Sequence, residues 1–176
     1  EMASLEQLGL AHCFPQRFPE QVLTQVPERV TSLDLSSKRV FEFPSIVLGT
    51  HLVRLANLRT LDVSASSLTT RDGICHLALG LSRMPELTHL AMGHNSFGGK
   101  GCGTLAPALQ QLSKLEHLGL ARCAVGSMAK PLKRGDPRGF EALCAAIKTL
   151  GALTSLDVSS NGIDPSDARI LAEARQ

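Results

Sequence analysis

Two pairs of ionisable side chains stand at one repeated offset: His89 and His117 are 28 residues apart, and so are Asp34 and Asp62. Neighbouring imidazoles are the raw material of a metal site, and neighbouring carboxylates push their pKa values apart and can do acid–base work. The glycine-rich stretch GHNSFGGKGCGT (residues 93–104) suggests a phosphate loop, but its spacing fails: Gly98 follows Gly93 correctly, and then Gly99 stands where the lysine belongs. Five cysteines, Cys13, Cys75, Cys102, Cys123 and Cys144, contain no Cys-x-x-Cys spacing, so they support neither a metal knot nor a disulfide framework. No Ser/His/Asp or Cys/His arrangement stands out.

The shared offset of 28 points to what positions these groups. Leu-x-x-Leu-x-Leu recurs six times, beginning at Leu5, Val30, Leu58, Leu87, Leu115 and Leu153, with intervals of 25, 28, 29, 28 and 38 residues. Alternating apolar residues, such as Leu87, Leu90 and Met92, describe a strand with one buried face, and Phe97 returns to the core. Position nine of the pattern is Asn95, Asn161, Cys13 or Cys123, a short side chain suited to backbone groups that no strand reaches. Counting back three, six and ten places from the next repeat gives Leu55, Leu52 and Leu48; Met84, Leu81 and Leu77; Leu112, Leu109 and Leu105; Leu150, Ile147 and Leu143. That is one stripe of an amphipathic helix, and the small residues Gly49, Ala78, Ala106 and Cys144 let neighbouring helices approach. Each unit supplies the crossover that parallel strands need, and none buries its own apolar face, so the units must stack.

The ~28-residue period, the L-x-x-L-x-L-x-x-N/C core and the glycines Gly98, Gly99 and Gly101 before LAPAL resemble ribonuclease-inhibitor-type leucine-rich repeats. The resemblance implies an α/β solenoid of about six repeats. It would be a horseshoe with a parallel sheet on the concave face and helices on the convex face. One domain spanning 1–176 is expected. Two intervals depart from the pattern. The first is short and Pro-rich, with Val22, Leu23 and Val26 leaving room for a brief helix at most; the fifth carries a basic loop insertion at 126–138.

On the open sheet face, His89 and His117 should lie on adjacent strands ~4.8 Å apart. His94 falls five residues beyond His89, too far for a third ligand, so no metal and no other cofactor is expected. Asp34 and Asp62 share a column, but an open sheet has no water-excluded pocket, so complementarity to basic side chains is the expectation. The candidate partner-binding set is His89, His117, His94, Arg122, Glu116, Asp34 and Asp62, with Lys130, Lys133, Arg134 and Arg138 of the insertion. Cys144 and the ladder cysteines should be reduced and packed; Cys75 and Cys102 should be partly exposed.

Composition narrows the partners. A net charge of +2 does not suggest nucleic acid, and no run approaches the ~20 apolar residues of a membrane span. Tyr and Trp are absent, so Arg, His, Phe and aliphatic groups would have to anchor a partner. The expected function is a non-enzymatic protein-interaction module, a scaffold or regulatory subunit within a hetero-complex. Its expected place is intracellular and cytoplasmic, with axoneme and mitochondrion also admitted. The resemblance also implies an alternative, a GTPase-activating role like that of the Ran type, although no residue here carries it over. Both ends of the stack lack a polar capping unit, with Asp164 and Pro165 opening the final helix, and the expectation is either a piece of a longer repeat array or ends that meet neighbours in a complex.

Overall fold

The computed structural model describes residues 5–10, 24–37, 49, 51–66, 68, 71–128 and 137–174. Six strands, β1 (Gln7–Gly9), β2 (Ser32–Asp34), β3 (Thr60–Asp62), β4 (His89–Ala91), β5 (His117–Gly119) and β6 (Ser155–Asp157), form one parallel sheet in chain order. Each is three residues long and pairs only with the strands before and after it. Among the described residues, the helices with defined bounds are α1 (Arg71–Leu81), α2 (Gly98–Leu109), α3 (Pro137–Thr149) and α4 (Pro165–Ala174). They pack in order as a second layer, α1 on α2, α2 on α3 and α3 on α4. This is a solenoid, and its core is a strip running the length of the stack.

The strip consists of the residues that the period selects. Leu58, Leu87 and Leu115 open their repeats at 0% exposure; Leu61, Leu90 and Leu118 in mid-strand are at 0–2%. The helical stripe is equally dry, from Leu52 and Leu55 through Leu105, Leu109 and Leu112 to Leu143, Ile147 and Leu150. The stripe reaches one turn further than the spacing rule gave: Ile74, Cys102 and Phe140, three places before Leu77, Leu105 and Leu143, are also buried. This corrects the expectation for Cys102, which is 1% exposed because it lies on the inward face of α2. Cys75, only two places before Leu77, faces away and is exposed. Leu48, Val22, Leu23 and Cys13 lie outside the described residues.

Each helix-to-strand turn is closed in the same way. Leu55, Met84, Leu112 and Leu150 donate their N–H to the carbonyls of Leu52, Leu81, Leu109 and Ile147; Leu58, Leu87, Leu115 and Leu153 then donate to the first four. Strand-to-helix turns are held by the ladder position. Asn95 Oδ1 accepts the N–H groups of Ser66 and Leu68, while its Nδ2 donates to the carbonyls of Val63 and Met92 at 2.8 and 2.7 Å. Asn161 does the same for Cys123, Val125, Leu120 and Val158. At the same position Ser66 donates its hydroxyl to Leu35 O and Cys123 its thiol to Met92 O.

Candidate functional site

Register decides which side chains meet. β4 and β5 pair His89 with His117, and the rings stack with centroids 4.2 Å apart and planes 23° from parallel. The hydroxyl of Thr88 gives its one proton to the carbonyl of Arg59 at 3.0 Å and also lies 2.8 Å from His89 Nδ1. This contact ties up Nδ1, and Nε2 is the His89 ring nitrogen left for a further hydrogen bond. His89 is exposed and His117 half-buried. The nitrogen lone pairs lie in the ring planes, and two stacked, nearly parallel planes do not bring them together on one ion; no cluster of three metal-ligating groups occurs among the described residues. Glu116, next to His117, has an exposed side chain; its carbonyl takes the N–H groups of Thr154 and Ser155.

His94 and Arg122 do not lie on the strands. β4 stops at Ala91 and β5 at Gly119, and both residues occupy tight turns at φ 60° and 55°. Ser37, Ala65 and Ser160 share the column and the conformation, at φ 57°, 52° and 56°. Left-handed backbone at a residue with a Cβ costs about 1–3 kcal/mol and persists only where the surroundings impose it. Here they do: Ser37, Ala65, His94 and Arg122 each donate N–H to the next repeat's turn, at Ser64, Gly93, Ala121 and Ser159. All five side chains are exposed as a result.

Asp34 and Asp62 are cross-strand partners, yet each spends Oδ1 on its own turn, accepting the N–H of Ser36 or Ser64 at 2.8 Å. Asp157 accepts the Ser159 N–H likewise, and that hydrogen bond holds its carboxyl below the usual carboxylate range. These aspartates brace the strand ends and leave Oδ2 for a partner.

Arg122 also lines a shallow depression of ≈ 320 Å³ with Ser96, Ala124, Met128, Ser160, Asn161 and Gly162. Spacing alone did not mark this site. Ser96, Ala124 and Gly162 each follow a ladder residue, which is the signal that was available; Met128, 58% exposed, has none. Met128 belongs to the insertion, whose first residues run alongside the last repeat: Gly126 and Met128 donate N–H to the carbonyls of Asn161 and Gly162. Ser127 closes the junction, its hydroxyl lying 2.7 Å from Asp164 Oδ2 and 2.9 Å from Asp167 Oδ2 and its N–H donating to Asp167. Asp164 and Asp167 in turn cap α4 reciprocally, each accepting the other's N–H. The hydrogen bonds from Ser166, Asp167 and Ser127 hold the Asp164 carboxyl far below its ordinary range. Lys130, Lys133 and Arg134 lie outside the described residues; Arg138 is exposed at the start of α3.

The buried thiols are unreactive by environment. Burial pushes Cys123 and Cys144 up to about 11 and raises Cys102 as well, with Cys123 and Cys144 adding to the effect on Cys102. No helix among the described residues is long and apolar enough to cross a membrane.

Comparison with known proteins places this architecture. A leucine-rich repeat family model matches residues 84–106 and 153–172. The human NACHT, LRR and PYD domains-containing protein 12 is 32% identical over 99 residues, covering 56% of this chain and 8% of that protein. The leucine-rich repeat-containing protein LegL7 of Legionella pneumophila superposes with a TM-score of 0.52 at 22% identity, over 89% of this chain and 47% of LegL7. The chain thus spans less than a tenth of that human relative and about half of that bacterial structure. The fold is that of a leucine-rich repeat protein, and such proteins are generally protein-interaction modules.

Proposed function

We propose that this chain, a leucine-rich repeat solenoid, is a non-enzymatic interaction module serving a larger complex as a scaffold or regulatory subunit. The observation that carries the reading is the exposed strand face. In-register parallel pairing sets His89 on His117 there without a converging ligand set, and a turn forced left-handed exposes Arg122. Groups displayed in rows on an open face suit recognition of another surface better than enclosure of a substrate.

The partner chemistry follows from the groups. His89 Nε2 is left for a hydrogen bond; the Arg122 guanidinium favours a carboxylate; Met128 offers an apolar contact beside it. Glu116 and the free oxygens of Asp34 and Asp62 would meet basic groups further along the face. The insertion, whose Met128 lines the Arg122 depression, also carries Lys130, Lys133, Arg134 and Arg138, a run of positive charge that would suit an acidic partner. We read 1–176 as one repeat domain of the ribonuclease-inhibitor-like subtype, supported by the ~28-residue spacing and a helix after each of the last four strands. No residue supports the GTPase-activating alternative.

The test is cross-linked affinity capture from native extract, with the wild-type chain and a His89→Ala, His117→Ala, Arg122→Ala variant as parallel baits. A stoichiometric partner held by the first and lost by the second, with equal urea midpoints, is the expected result. Retention by both would remove the strand face from the reading. Acceleration of GTP hydrolysis by candidate GTPases would replace it with the enzyme-regulating alternative.

A further inference from the structure

The chain holds three asparagines, Asn57, Asn95 and Asn161, followed by Leu58, Ser96 and Gly162. The last pair is chemically distinct. A peptide nitrogen can attack the side-chain carbonyl of the asparagine before it, and a side chain on the attacking residue hinders the approach. Glycine has none. Asn161-Gly162 is therefore the one pair of the three with an unhindered route to a cyclic imide.

The fold holds both reactants off that route. Asn161 is 3% exposed. Its Oδ1 accepts the N–H of Cys123 at 2.7 Å, and its Nδ2 donates to Leu120 O and Val158 O at 2.7 and 2.8 Å. With both ends of the amide bonded, Cγ is not free to turn towards the Gly162 nitrogen. The peptide unit is clamped as well, by a strap formed by residues 126–128. Gly126 N–H donates to Asn161 O at 3.0 Å, and Met128 N–H donates to Gly162 O at 2.9 Å. The two backbones lie so close that a methyl group at Gly126 would overlap the Gly162 carbonyl. Ser127 fastens the strap through its hydrogen bonds to Asp164 and Asp167.

We propose that Asn161-Gly162 is a self-modification site, shielded by this strap, whose reaction dismantles the Arg122 depression. When the strap opens, Gly162 N gives its proton to hydroxide and bonds to Asn161 Cγ. The Cγ–Nδ2 bond breaks, and the leaving nitrogen takes a proton from water to depart as ammonia. A second water opens the imide at either carbonyl, giving aspartate or isoaspartate. Net, the amide and water become an acid and ammonia, with no change of oxidation state.

Either product is the wrong group for the ladder. A carboxylate only accepts, so Leu120 O and Val158 O lose their donor and face a negative charge in a buried site. Isoaspartate also adds a methylene to the backbone that the strap pairs with. Asn161 and Gly162 line the depression together with Arg122 and Met128, so its wall goes with them. The consequence for a partner rests on the functional reading above; the chemistry and the loss of structure do not.

Peptide mapping by mass spectrometry tests this on the full chain at mildly alkaline pH, folded and in urea. Asn161 should convert to acid at least about tenfold faster in urea, because the reaction needs local opening. Asn95, on the same ladder but before serine, should lag behind Asn161 in urea. Gly162→Ala should suppress the conversion; Ala124, at φ 59° after the ladder residue Cys123, shows that this turn accepts a Cβ. Ser127→Ala unfastens the strap without adding volume and should speed the folded reaction several-fold, with circular dichroism confirming its fold. The purified product should have a lower urea midpoint than the unmodified chain. Equal rates for Asn161 folded and in urea, or for Asn161 and Asn95 in urea, would overturn the proposal. So would a Ser127→Ala rate equal to that of the wild type, or a product with an unchanged midpoint.

Discussion

At the scale of single residues, Asn95 shows why the ladder position tolerates only certain side chains. It is 1% exposed and serves backbone groups of two repeats through both ends of its amide. Removing it leaves several buried donors and acceptors unpaired, at about 1–3 kcal/mol for each that water cannot reach. Asn95→Ala should therefore lower stability by about 2–4 kcal/mol in urea titrations. Asn161→Ala should cost less, since the last repeat is more open to solvent. Asp164 carries a pH consequence. Its carboxyl is held below the ordinary value by Ser166, Asp167 and Ser127, so its contribution is complete above the unfolded value of ~4 and is lost as the pH falls below it. Asp157 and Glu86, lowered by Ser159 and by Lys114, have the same sign. The urea midpoint should fall between pH 5 and pH 3 (roughly the carboxylate range), and Asp164→Asn should flatten part of that fall. The donors and acceptors of the ladder were legible from residue type alone. The bracing role of Asp34 and Asp62 was not, because it depends on where three-residue strands stop.

At the scale of elements, the close approach of α2 and α3 sets the helical layer. A methyl group at Gly139 would overlap the Gly99 carbonyl, and that neighbour is backbone that cannot rotate away. Gly139→Ala should cost about 1–3 kcal/mol by forcing the two helices apart, read as a lower denaturant midpoint. Ala106→Gly, in the same layer, makes no such clash and should show only the ordinary helix penalty of about 1 kcal/mol. Sequence spacing found the stripe Leu105, Leu109 and Leu112 and the small residue after it. It did not single out Gly139, because a glycine at a helix start reads as turn chemistry until the neighbouring helix is in place.

For the whole molecule, a stack whose units touch only their neighbours should open from its ends. Amide hydrogen exchange read by mass spectrometry should be slowest in the repeats containing β3, β4 and β5, and fastest in those containing β1 and β6, where the core leucines are half-buried. Uniform protection across all six would contradict a nearest-neighbour stack. The amino-acid sequence by itself determined the period, the parallel order of strands, the helix after the later strands and the pairing of His89 with His117. Those follow from which residues are apolar and how far apart they fall, and stacking identical units leaves one register. Only the tertiary structure decided the left-handed turn that exposes His94 and Arg122, the burial of Cys102, and the pinning of Ser127 to Asp164 and Asp167. It also brought Met128 to Arg122. Each of these depends on contacts between residues whose relative placement no local pattern encodes, and Ser127 and Asp167 meet across 40 positions of chain.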